Sequence, residues 1–108
     1  GSVEQAKIGK EQIKQGIEFE VKQAYLNLKN AIEAVESAKK SVIQSEETMK
    51  LAESGYKAGV TSSLEVVDAN MAAVQAKNSY TIAKNQYNLA VAQLEKAIGV
   101  DKEEGLKK

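Results

Sequence analysis

Glu65 and Asp68 are the side chains whose type and spacing come nearest to a catalytic pair, two acids three positions apart that could exchange a proton with a substrate. Nothing in the chain completes such a site. There is no His and no Cys, which removes an imidazole base, a thiol nucleophile, a zinc site and a haem ligand together. Helix capping accounts for both acids better. Ser62 precedes Glu65 by three residues, the spacing of a capping box. Both acids then fall near the positive end of the helix dipole that Ser62 opens. Neither enzymatic activity, a cofactor nor a metal is expected.

The elements that position these residues are helical. The 108 residues include 15 Lys, 13 Glu and 15 Ala, with only two Asp and neither Pro nor Arg. This is a vocabulary of strong helix formers. Formal charge sums to zero, and with no guanidinium fork the chain is not expected to bind nucleic acid. No apolar run approaches the roughly 20 residues of a membrane helix, so direct membrane insertion is not expected. No signal peptide is evident, and Gly1-Ser2 reads as an expression scar that leaves natural targeting unreadable.

One stretch interrupts the helical text, Gly55-Tyr56-Lys57-Ala58-Gly59-Val60-Thr61-Ser62-Ser63. Gly59 suits the left-handed residue that follows a helix end, and Ser62 suits the N-cap of the next helix. Two helices are predicted, about 4–57 and 63–98, with a tip turn at 57–62. Along the first, Val21, Ala24, Leu28, Ala31, Val35, Ala38, Val42, Ser45, Met49, Ala52 and Tyr56 alternate steps of three and four. Val66, Ala69, Ala73, Ala76, Tyr80, Ala83, Tyr87, Ala90, Leu94 and Ala97 do the same along the second. Such seams define an all-α, antiparallel two-helix coiled-coil hairpin over 3–100. Glu18–Lys22, Glu36–Lys40, Glu46–Lys50 and Glu53–Lys57 have the i,i+4 spacing of supporting ion pairs.

A second apolar set stands outside the seams: Tyr25, Ile32, Ile43 and Leu51 on the first helix, and Leu64, Val67, Met71, Val74, Ile82 and Leu89 on the second. Two helices bury only the surface between them, so this set predicts self-association into a homo-oligomer or helical bundle. Asn78, Thr81, Asn85 and Asn88 form a polar face, read as solvated or as lining water. The first helix is expected to exceed the second by roughly 15–20 residues, with a stutter at Ile13, Ile17 and Val21. A frayed tail is expected at 101–108.

At the turn, Tyr56-Lys57-Ala58-Gly59-Val60-Thr61-Ser62-Ser63-Leu64-Glu65-Val66-Val67-Asp68-Ala69 resembles the periplasmic-tip motif of TolC-like outer membrane efflux proteins. The flanks agree. Val21-Lys22-Gln23-Ala24-Tyr25-Leu26-Asn27-Leu28 resembles the family's descending helix, and Ala83 to Gly99 its return, covering about residues 18–100. The start at Val67-Asp68-Ala69 and the ending Ala97-Ile98-Gly99 look more like the second of the family's two hairpin repeats.

The resemblance implies a trimeric channel whose α-helical tunnel crosses the periplasm below an outer-membrane β-barrel. This chain would then be the periplasmic portion of an outer membrane protein, without barrel strands of its own. An adaptor (membrane fusion) protein hairpin would dock at the tip, and an inner-membrane pump would be engaged indirectly. Tyr56 would sit at the closing constriction, with Lys57, Ala58, Gly59, Val60, Thr61 and Ser62 as the partner-binding tip. Thr61 departs from members that carry a basic gate residue there, which puts gating by ion pairs in doubt. Apart from the resemblance, a structural coiled-coil hairpin for scaffolding or oligomerisation accounts for the same residues, and Tyr56 then only covers the end of the seam.

Overall fold

The computed structural model describes residues 2–106, with side chains described over 12–100. Gly1 of the presumed scar and Lys107–Lys108 of the tail lie outside the described residues. The fold is all-α: α1 is Ser2–Lys57 and α2 is Ser63–Leu106, joined by one turn and running antiparallel. The chain divides into two compact units, one of residues 1–30 and 88–108, the other of residues 31–87. No helix of the described residues is long and apolar enough to cross a membrane.

In the 31–87 unit the inner face follows the heptad seam. Ala69, Ala73 and Ala83 are buried, and Ala31, Val35, Ala38, Val42, Ser45, Met49 and Ala52 of α1 are half-buried. Alanine at the closest approaches lets two backbones come together without a bulky layer between them. Ser45 is the one polar residue of the α1 seam, and its hydroxyl donates to the Val42 carbonyl at 2.8 Å. No buried polar side-chain atom among the described residues lacks a partner. Tyr80 is half-buried, with Lys84 Nζ 4.4 Å above its ring centre.

The other unit repeats the pattern. Ile17, Ala24 and Ala90 are buried, with Val21, Leu28, Leu94 and Ala97 half-buried. A groove of ≈ 350 Å³ lies beside this core, with Phe19, Gln23 and Asn27 on α1 facing Gln93, Lys96 and Val100 on α2. Of the stutter residues, Ile17 is buried while Ile13 remains 57% exposed.

Three local expectations are corrected. α2 continues to Leu106 rather than ending near 98, and α1 is longer by 12 residues (56 against 44), short of the expected 15–20. Gly99 does not stop the helix because it keeps negative φ; among the described residues only Gly59 has positive φ, at 76°. Without that left-handed turn, a lone glycine merely weakens a helix by about 1 kcal/mol. The i,i+4 pairs do not close either. Among the described residues the ion pair within 4 Å is Glu46 Oε1 to Lys77 Nζ, at 3.8 Å between the two helices. Exposed Glu and Lys side chains lose rotamer entropy in pairing and gain little from it in water.

Candidate functional site: the tip turn

The turn is built by the backbone first. Lys57 is the last residue of α1, and Gly59 takes the left-handed conformation two residues later. The Gly59 N–H donates to the Tyr56 carbonyl at 3.0 Å and the Val60 N–H to the Gly55 carbonyl at 2.8 Å. This pair of bonds is a Schellman motif, which satisfies carbonyls that the helix end would leave orphaned. An L side chain at Gly59 would suffer from the backbone angle alone, since a Cβ there would meet nothing within 4 Å.

The next layer is a fastening across the turn. The Thr61 N–H also donates to the Gly55 carbonyl, at 3.2 Å. Its hydroxyl donates to the Ala52 carbonyl at 3.0 Å, spanning nine residues. Thr61 thus lies against the last turn of α1, and Gly55 makes room for it. A Cβ at Gly55 would stand 2.7 Å from Thr61 Cγ2 and 3.0 Å from its Oγ1. Gly55, not Tyr56, therefore occupies the last inward position of the α1 seam. Tyr56 is 54% exposed, so it does not cover the end of the seam.

The restart follows the capping prediction in part. The Glu65 N–H donates to Ser62 Oγ at 3.3 Å, and the Val66 N–H to the Ser62 carbonyl at 3.4 Å. Ser62 is the N-cap of α2. The reciprocal bond from the Glu65 side chain back to the Ser62 N–H is not formed. Half of the capping box holds, and Glu65 otherwise serves as an acid in the first turn of α2.

The seven tip residues are brought together by this turn, but not equivalently. Thr61 is half-buried, whereas Tyr56, Lys57, Ala58, Gly59, Val60 and Ser62 are exposed. Val60 is the extreme at 81%. The turn thus holds an apolar side chain out in solvent at its apex. Asp68 is exposed on α2 beyond the cap, and no group of acids that could hold a metal ion occurs among the described residues.

The Thr61–Gly55 fit escaped sequence reasoning, because the alternation of three and four led from Ala52 to Tyr56 as the next seam residue. A glycine at an inward position with a β-branched hydroxyl residue just past the turn was the available signal.

Two antiparallel helices joined by a hydrogen-bonded tip turn make an α-helical hairpin. Residues 2–100 match the family model described as outer membrane efflux protein, and the chain belongs to that family. No curated protein and no solved structure is matched by the chain. The family is one of transport channels, not enzymes, and its members form trimers. Membership gives this hairpin a role in an outer membrane efflux channel.

Proposed function

We propose that this hairpin is a periplasmic tunnel element of the channel, and that its tip docks the hairpin of an adaptor (membrane fusion) protein and opens for export. The observation that carries the reading is Val60, 81% exposed at the apex of a turn held by named hydrogen bonds. Tyr56 and Leu64, exposed on either side of it, extend the apolar contact onto both helices. Lys57, Ala58, Gly59 and Ser62 complete the surface, the glycine by shaping it. Docking of this kind is a helix-to-helix event. Its energy would come from desolvating a few apolar side chains at the centre of a small interface. Family membership supports a trimer of such hairpins, and an inner-membrane pump would be engaged only through the adaptor.

Val60→Asp tests the reading, because it places a charge where contact must be dry and leaves the backbone bonds of the turn intact. The affinity of a soluble membrane fusion protein hairpin should fall at least tenfold, the scale of an apolar anchor lost from an interface. Gly59→Asp should weaken binding as well, through the strained turn. An unchanged affinity in Val60→Asp removes the tip contact and leaves the scaffolding role.

A further inference from the structure

The tip contains a side chain whose position suits it to holding the turn rather than to touching a partner. Thr61 is half-buried, its hydroxyl bonded to the Ala52 carbonyl and its backbone N–H to the Gly55 carbonyl. Its methyl lies over Gly55, at a position where any Cβ would come within 2.7 Å. Gly55 therefore does different work from Gly59. Gly59 is required for its backbone angle and has open space around it, while Gly55 is helical and is required for closeness.

We infer that Thr61 and Gly55 form a latch that fixes the tip turn in one conformation, with Thr61 a positioning residue for docking and Val60 the contact. This assignment rests on the docking reading above for its functional half; its structural half is independent of any partner. The physical basis is short. Val60 and Thr61 both donate their N–H groups to one acceptor, the Gly55 carbonyl. The Thr61 side chain then ties the same segment to a second carbonyl one turn earlier. Releasing the hydroxyl leaves the backbone bonds exposed to water and in competition with it. The apex would then sample several conformations, and a partner must select one of them, which lowers apparent affinity by the fraction competent.

The test uses the whole chain, isotopically labelled, and reads amide hydrogen exchange at Val60 and Thr61. Thr61→Val keeps the shape and removes the hydroxyl donor. Exchange at both amides should accelerate roughly two- to tenfold, the equivalent of one net hydrogen bond, while amides in the middle of α1 and α2 keep their protection. Gly55→Ala should act in the same direction by displacing Thr61. Combining Gly55→Ala with Thr61→Ser removes the methyl responsible for the closest approach, so the double variant should exchange more slowly than Gly55→Ala alone. In parallel, Thr61→Val should weaken binding of a membrane fusion protein hairpin in proportion to the competent fraction it loses, by no more than its exchange change and by less than the loss in Val60→Asp.

Exchange in Thr61→Val equal to the parent overturns the latch. Faster exchange with undiminished affinity overturns its role in docking. If the parent chain binds no such hairpin, the docking reading fails, and the exchange series still decides whether the latch exists.

Discussion

The two faces of α2 in the 31–87 unit invert the usual arrangement of a small protein. Toward α1 stand Ala69, Ala73 and Ala83, all buried; away from it stand Leu64, Val67, Met71 and Val74, all exposed. Among these the small residues are inside and the large ones outside, with Val66 and Tyr80 of the seam half-buried between them. An alanine-floored seam allows close approach but removes little apolar area from water, and no large side chain among the described residues is fully buried. The outer row repeats at steps of three and four, as the inner seam does. That spacing suits another helix better than an irregular surface. The contrast gives the inner face to forming the hairpin, and we propose that the outer face packs against other helices.

The sharpest way to break this comparison is to exchange the sizes of the two faces. Ala73→Leu forces a large side chain into a site only 3% exposed and should cost about 1–3 kcal/mol in urea unfolding, as overpacking does. Met71→Gln, two residues away on the outer face, should stay within about 0.5 kcal/mol at concentrations where the chain is monomeric. Equal effects at the two positions would erase the distinction between the faces.

The tip ranks next. Gly59→Ala puts a Cβ on a left-handed residue and should lower stability by about 1–2 kcal/mol, read from the thermal midpoint. Ser62→Ala removes the N-cap oxygen bonded to the Glu65 N–H, with an expected loss of ~1 kcal/mol. Lys77→Gln removes the ion pair with Glu46 and should change the midpoint least, by under about 0.5 kcal/mol, since both side chains are largely exposed.

Most of the inner face was legible because heptad spacing is a local property that side-chain size does not disturb. Every α1 seam residue from Val21 to Ala52 is buried or half-buried, and every residue of the second apolar set is exposed. Legibility ended where a contact crosses the turn. Spacing made Tyr56 the final inward residue, whereas Gly55 takes that place because Thr61 returns against it. Gly99 shows the complementary difficulty. A glycine stops a helix only if the backbone turns left-handed there, and Gly99 keeps the negative φ of a helix. The four Glu–Lys spacings permitted ion pairs without requiring them, and Glu46 instead points across to Lys77. The Ser62 cap was legible as a motif, but whether Glu65 closes the reciprocal bond depends on a rotamer that no spacing fixes.

Sedimentation equilibrium of the parent chain beside a Leu64→Gln, Met71→Gln, Val74→Gln triple variant tests the division of faces most directly. The parent should sediment as two or more chains at micromolar to millimolar concentrations, and the triple variant should shift toward monomer while retaining its helical circular dichroism. A parent that stays monomeric across that range, or a triple variant that associates equally well, would contradict the assignment of the outer face to partner helices.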